Sequence, residues 1–428
     1  MVRNEVEVLA LGAGPANLAL AVAMEELAAE ELAADTFIAE AHENVVWQRG
    51  MLLPWTQSQV SFVKDLVTLR NPRSKFSFIN FLHSVGRLDE FVNLGTFTPY
   101  RQEISNYLQW VADSMSRVRI GYGKRALSVA PIWNADGQVD GWLTRFADDT
   151  ETLSRHLVVG TGRDPLVPEQ FAGLPADRVI HSSQYVEHIA DVDASAVRRI
   201  AVIGGAQSAA ELLWAAHQEF PSAETTMVMR SIGLKNYESS KFTNEIFYPS
   251  FIDEFHAAAP EARDQLLREM HLSNYGGLAP GMLETLYRQR YLERLSGEER
   301  LRVITMTDVV GTRVEDDEVV LSLVDRRTGR ADELRCDLVL LGTGFRGTMP
   351  ALVRDLAAEL GIAEITVDRG YRLQLPATDG ASCYLQGVNE ATHGIADSLL
   401  SVLASRSGDI VKGLLTGRRT VPALAEIG

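Results

Sequence analysis

An apolar strand, a glycine-rich turn and a helix follow one another twice in this chain, and that repeat constrains the fold more than any other feature. The first copy runs from Val6–Leu11 through Gly12-Ala13-Gly14-Pro15-Ala16-Asn17 into an Ala/Leu-rich helix expected to end near Ala33, then into a strand at Thr36–Glu40. A short apolar run, a turn and a helical run returning to a strand spell a βαβ unit. The second copy begins at Arg199 with RIAVIG, turns at Gly204–Ser208, continues as a helix from Ala209 to about His217 and returns as Thr225–Arg230. One unit nested inside the other's sequence predicts an α/β fold of two Rossmann-like dinucleotide-binding domains with a small substrate-binding region. Two further short strands end in Gly-Thr-Gly corners, Leu157–Gly162 and Asp337–Gly344, and read as crossings between an outer and an inserted domain. With the polar stretches Asp191–Arg198 and Asp325–Arg335 as boundaries, the outer domain is expected at 1–192 and 336–428 and the inserted one at 193–335.

Each turn carries its own ligand signal. Gly12 and Gly14 are the first two glycines of GxGxxG, Pro15 opens the helix and Asn17 takes the third glycine position. Such a turn lets the backbone approach a pyrophosphate at a helix N-terminus. Glu40, 28 positions beyond Gly12, can accept from ribose hydroxyls and would repel a 2′-phosphate. The bland alternative is a tight strand-to-helix turn without a ligand. In the second turn Gly204 is kept, but Ala206 and Ala209 replace the later glycines. Arg230 stands 26 positions beyond Gly204, where the first unit has its acid, and a guanidinium there suits the 2′-phosphate of NADPH. Its bland alternative is an exposed surface arginine. An acid-type site enclosing an arginine-type site is the arrangement of a flavoprotein holding FAD and reduced by NADPH. Cys336 and Cys383 are the only cysteines and are 47 positions apart, so no CxxC pair relays electrons and O₂ is the expected acceptor. Two cysteines also fit a reducing cytoplasm. The formal charge of −16 argues against nucleic acid and anionic membrane surfaces. Val6–Met24 is apolar, but Glu5 and Glu7 flank it and Gly12, Gly14 and Pro15 interrupt it, so it is expected to be neither signal peptide nor membrane span.

Met51–His83, MLLPWTQSQVSFVKDLVTLRNPRSKFSFINFLH, resembles the signature region of the flavin-dependent N-hydroxylating monooxygenases acting on L-ornithine or L-lysine. The chain is similar to that family also at GxGPANL (Gly12–Leu18), HSSQY (His181–Tyr185), GGAQSAAE (Gly204–Glu211), FTNEIFYP (Phe242–Pro249), NYGG (Asn274–Gly277), GTGF (Gly342–Phe345) and THGIADSLLS (Thr392–Ser401). The pattern is nearer to the bacterial ornithine N5-hydroxylases of siderophore and nonribosomal peptide assembly than to lysine N6-hydroxylases. The resemblance implies substrate-contacting segments at 51–83 and 242–277 and a substrate-pocket helix in the last part of the outer domain. It places Gln59 by the isoalloxazine and Trp55 at its border. Lys64 would meet the substrate carboxylate and Asn244 its α-amino acid head, while Asn274 and Ser398 would surround the side-chain amine. Ser208 and Arg230 would hold NADP, with Tyr275 and Gly344 also on the cofactors. The implied reaction is N5-hydroxylation of L-ornithine by O₂ through a C4a-hydroperoxyflavin, in a homo-oligomer for which a tetramer is implied. Departures are Ala206 for glycine and GTGF for ATGY or ATGF, the latter a small-for-small change.

By residue type alone, Lys64 reads as a solvated lysine paired with neighbouring carboxylates, Asn244 as a helix cap or turn residue, and Ser398 as a backbone-bonded helix residue. His181, Glu187 and His188 lack metal-ligand spacing, and Phe76, Phe78 and Phe81 read as core. Other readings of the chain are an L-lysine N6-hydroxylase, a Baeyer–Villiger or S-oxygenating flavin monooxygenase, and a non-catalytic flavin/NADPH redox sensor.

Overall fold

The computed structural model describes residues 3–416. Its first sheet is built on β1 (Arg3–Leu11), which lies between β2 (Thr36–Ala39) and β6 (Glu151–Val159), all parallel, with β3 (Arg119–Gly121) outside β2. β6 then forks. Its first half pairs antiparallel with the hairpin of β4 (Ala126–Trp133) and β5 (Val139–Phe146), and its second half pairs parallel with β15 (Ser382–Leu385). The second sheet is wholly parallel, in the order β10 (Leu301–Ile304), β9 (Glu224–Val228), β8 (Arg199–Ile203), β14 (Leu338–Leu341), β7 (Val179–His181). A third, antiparallel sheet consists of β11 (Thr307–Glu315), β12 (Glu318–Asp325) and β13 (Ala331–Cys336).

The α/β architecture with two dinucleotide-type sheets agrees with the sequence reading, but the inserted part is wider than expected. β7 and β14 both belong to the second sheet, so that sheet takes chain on either side of the expected 193–335 insertion, and the strand that returns to the first sheet is β15. The chain nevertheless leaves the first sheet just after β6 and the second sheet just after β14, at the two Gly-Thr-Gly corners read as crossings. The Asp325–Arg335 stretch is no boundary. It is the turn and most of the second strand of the β12–β13 hairpin, where Asp325 Oδ1 accepts from the backbone N–H groups of Arg327 and Thr328. The first expected helix divides into Pro15–Leu27 and Glu30–Ala34, and the second is longer than expected, Gln207–Glu219.

The helix Pro15–Leu27 is apolar all round because it is covered all round: Leu18 to Met24 are buried between the first sheet and the C-terminal helix Leu403–Thr416. Glu25 ends this apolar run against the backbone. Burial raises its pKa, but the Ser116 hydroxyl and the N–H groups of Ser116, Arg117 and Val118 outweigh that and hold it low. Phe76, Phe78 and Phe81 are core, as read from the sequence. The two domains are bolted together by a buried ion pair: Arg101, first residue of the helix Arg101–Asp113, donates to Glu211 of Gln207–Glu219 at 2.8 and 2.6 Å.

Candidate active site

The first turn has the shape a pyrophosphate needs. Gly12 has φ +87°, and a Cβ there would sit 2.9 Å from the Gly160 carbonyl oxygen, so the protein itself demands this glycine. Gly14 differs. It adopts φ −72° and ψ 176°, open to any residue, and a Cβ on it would meet no protein atom within 4 Å. No clash or strain requires a glycine at Gly14; its place at the N-cap of Pro15–Leu27 favours one mildly, and it leaves room for the close approach of a ligand to that N-terminus. Glu40 stands just beyond β2 and accepts from the N–H groups of Ala13 (2.7 Å) and His42 (2.9 Å), which fixes its carboxylate beside the turn. These residues fit an adenine dinucleotide with a free ribose 2′-hydroxyl.

Asn17 turns its side chain inward. It is fully buried, and its Nδ2 donates to the carbonyls of Leu11 and Gly12 at 2.8 Å each. Its Oδ1 accepts from Gln386, so the side chain is spent within the protein and shapes the turn. From Gln386 the buried bonds continue to Arg406 (3.1 Å) and on to the Asp397 carboxylate (2.9 Å), beside Ser398.

The second turn accommodates its alanines. Ala206 has φ −118° and ψ −173°, extended backbone that needs no glycine. Gly342 carries the constraint instead: a Cβ there would lie 2.4 Å from Ala209 Cα, so in this chain GTGF for ATGF is not the small change the sequence suggests. Ser208 lies in the first turn of Gln207–Glu219, and Arg230 lies two residues past β9, exposed. Gly344, at φ +76°, presents its carbonyl to His181 Nε2 at 3.0 Å, and His181 Nδ1 bonds Ser183. That pairing gives His181 a structural part at the corner.

The segments expected to hold substrate converge. Lys64 is half-buried, 5.7 Å from the Phe247 ring, and among the described residues no carboxylate pairs with it. Its neighbour Asp65 is committed to the backbone N–H groups of Val67, Thr68 and Phe78, so the reading of Lys64 as a paired surface lysine fails. Burial lowers the Lys64 pKa. The same side chain borders a small cavity with Val60, Ile104 and Leu400. Phe247 ends the 3₁₀ turn Thr243–Phe247 that carries Asn244; Phe242 is its N-cap, and Ser240 Oγ accepts from the Thr243 N–H at 3.1 Å. The turn packs on Ile395–Ser398. Ser398 closes that segment and donates to Glu390 Oε1 at 2.8 Å, not to backbone. The Tyr275 hydroxyl lies 3.3 Å from Ser398 Oγ and also bonds Glu390. Asn274 precedes Tyr275 at the end of the short helix His271–Asn274. Lys64, Asn244, Asn274 and Ser398 therefore stand on segments that meet. Gln59 is exposed and bonds the Tyr237 hydroxyl, and Trp55 packs against the core of the second domain.

Sequence reasoning missed Arg163 and Glu390. Arg163 Nη2 lies 2.9 Å from Glu390 Oε1 and its Nη1 donates to the Tyr275 oxygen at 3.1 Å. One signal could have found Arg163: it follows Gly160-Thr161-Gly162 at the carboxyl end of β6, the side of a parallel sheet where ligands collect.

Residues 4–347 match the family model described as L-lysine 6-monooxygenase/L-ornithine 5-monooxygenase. An L-ornithine N(5)-monooxygenase of Pseudomonas aeruginosa is 38% identical, with 94% of this chain and 92% of that protein covered. The ornithine N-hydroxylase of Kutzneria sp. 744, solved with reduced FAD, NADP⁺ and L-ornithine, superposes with a TM-score of 0.89 at 34% identity over 96% of this chain and 99% of that one. The L-lysine 6-monooxygenase of Pseudomonas syringae superposes with a TM-score of 0.84 at 28% identity, covering 97% and 100%.

Proposed function

The chain belongs to the L-lysine 6-monooxygenase/L-ornithine 5-monooxygenase family, and from that premise we propose that it hydroxylates the side-chain amine of L-ornithine with NADPH and O₂, giving N5-hydroxy-L-ornithine. Gly12, Gly14 and Pro15 with Glu40 hold FAD, and Gly204, Ser208 and Arg230 hold NADPH. FAD supplies the redox chemistry, taking hydride from NADPH and delivering one atom of O₂. The remaining tasks fall to the protein: to hold an amino acid by its head, to keep water out, and to present a neutral nitrogen.

One observation carries the reading of an amino-acid substrate: a half-buried lysine with no carboxylate partner among the described residues, facing the turn that bears Asn244. An unmatched cation in a partly desolvated place suits a ligand carboxylate. In this reading Lys64 takes the α-carboxylate, Asn244 the α-amino head, and Asn274 and Ser398 the far amine. Gln59 and Trp55 border the flavin ring, and Tyr275 and Gly344 the cofactors. The amine enters with a pKa near ~10.4 and must lose its proton, which burial among apolar groups favours. Two anchored ends also measure chain length. One extra methylene moves the nitrogen by about 1 Å, a displacement that can cost about 100-fold in rate, so lysine is a poor substrate. Among the superposed structures the ornithine N-hydroxylase is 34% identical, against 28% for the lysine enzyme, which supports the same choice.

Among the described residues no helix is long and apolar enough to cross a membrane. A cytoplasmic homo-oligomer, a tetramer by resemblance, and a place in siderophore or nonribosomal peptide assembly complete the proposal. Purified protein with FAD, NADPH and O₂ should form hydroxylamine product from ornithine and little from lysine. Turnover of cyclic ketones or sulfides with none of ornithine would replace this reading, as would bound flavin without any product.

A further inference from the structure

Ser398 has a single hydroxyl proton, and the carboxylate oxygen of Glu390 at 2.8 Å is a nearer acceptor for it than the Tyr275 hydroxyl at 3.3 Å, so the proton goes to Glu390. Toward any other partner the hydroxyl can then only accept. A substrate amine beside it donates an N–H, so its lone pair is left free of hydrogen bonding and able to attack. Glu390 brings a second effect of opposite sign, because an anion one hydrogen bond behind the amine favours the ammonium form, which has no lone pair. Arg163 counters this. Its guanidinium pairs with Glu390 at 2.9 Å, with side chains only 15% and 19% exposed. Burial works against the Arg163 charge, but the Tyr275 oxygen and the Glu390 carboxylate outweigh it and raise its pKa.

We propose that Glu390 and Arg163 are positioning residues of the hydroxylation: Glu390 orients Ser398 as an acceptor toward the substrate's side-chain nitrogen, and Arg163 neutralises Glu390 so that this nitrogen loses its proton at moderate pH. The proposal rests on ornithine being the substrate and on Ser398 meeting its amine. The other titratable groups around the cluster leave this balance intact. From the short helix His271–Asn274, the His271 ring lies 5.6 Å from that of Tyr275. His393, on the same helix as Glu390, is buried and pushed down to about 4, and burial also lowers His256, which touches it edge-on. Arg263, from the helix packed on that side, donates to the carbonyls of Ala258 and His256. Asp397 is matched by Arg406 at 2.9 Å.

The test is the pH dependence of kcat/KM for ornithine, of product formed per NADPH consumed, and of ornithine binding by calorimetry, in R163M, R163K, E390Q and R163M/E390Q. The parent must first yield N5-hydroxyornithine. If it does not, the function assignment fails and the variants are not needed to show it. Given that product, R163M leaves Glu390 unbalanced and moves the acid limb up by about one pH unit, while R163K keeps it in place. E390Q leaves Arg163 unbalanced and moves the limb down by a similar amount. Its carboxamide can also donate to Ser398, turning the hydroxyl proton onto the nitrogen, so product per NADPH falls while ornithine still binds. The double variant returns the limb to near the parent position. Should R163M lose its flavin, E390Q decides alone by the direction of its shift. An E390Q limb coincident with the parent's, with full coupling, overturns the proposal.

Discussion

Replacing Lys64 by methionine tests the substrate site through two effects that a surface lysine would not produce. The ammonium is partly desolvated, faces the Phe247 ring at 5.7 Å and has no ion-pair partner among the described residues, so its charge is a cost to the empty protein. Burial places its folded pKa below the ordinary 10.5. Below the lowered folded value the full penalty is present. As pH rises through the lowered folded value toward 10.5 the unfolded chain binds more protons than the folded one, and stability rises relative to a variant lacking the group. Lys64→Met removes this trend and leaves the ligand-free protein as stable as the parent or more so at neutral pH. With ornithine the sign reverses. A hydrogen bond to a charged group contributes about 1.5–3 kcal/mol, which at about 1.4 kcal/mol per tenfold raises KM for ornithine roughly 10- to 140-fold. The assays are ornithine saturation of hydroxylated product, melting with and without ornithine, and anaerobic reduction of the flavin by NADPH, which should persist. A KM within twofold of the parent, or a ligand-free variant melting several degrees lower, refutes the reasoning.

Gly14→Ala should change unfolding stability by less than about 1 kcal/mol, because its φ is −72°, the added Cβ meets no protein atom, and the entropy gained is offset by the loss of a glycine N-cap. FAD affinity, read by flavin fluorescence, should fall about tenfold or more; unchanged affinity would remove the pyrophosphate from this turn. In Arg230→Ala the preference for NADPH over NADH should shrink about 10- to 100-fold through KM for NADPH, on the scale of a lost charge-assisted bond. An unchanged preference would return Arg230 to the surface. Arg406→Met strands the fully buried Asp397 and should cost about 3–5 kcal/mol in urea unfolding; a loss below about 1 kcal/mol would show that the pair is dispensable.

What the sequence made legible follows from how far apart the informative residues lie. The βαβ units were readable because strand, turn and helix are contiguous and each turn carries glycine beside an apolar helix. Sheet membership was not, because buried parallel strands are short apolar runs with no mark of their neighbours. β14 and β6 both end in Gly-Thr-Gly, yet they lie in different sheets, and only long-range pairing distinguishes them. The antiparallel β11–β13 sheet was hidden for a related reason, since Asp325–Arg335 has the polar composition of both a linker and a hairpin turn. At the site, the resemblance supplied Lys64, Asn244, Asn274 and Ser398, and the structure brings their segments together. It could not supply the charge partners. Arg101 and Glu211, 110 residues apart, or Arg163 and Glu390, look in sequence like any solvated arginine and glutamate. Only proximity shows that each pair shares a proton donor and acceptor. The inward bonds of the Asn17 side chain were equally illegible, because its position in the turn shows nothing of the backbone carbonyls it meets.

The account stands or falls on where the oxygen goes. Holoenzyme given NADPH, ¹⁸O₂ and saturating ornithine, with product and peroxide quantified together, should yield close to one ¹⁸O-labelled hydroxyornithine for each NADPH oxidised and little peroxide. Lysine should drive NADPH oxidation with mostly peroxide as product. Full conversion of NADPH into peroxide in the presence of ornithine, with no label on the amino acid, would contradict the proposal that this fold delivers oxygen to a nitrogen held by its far end.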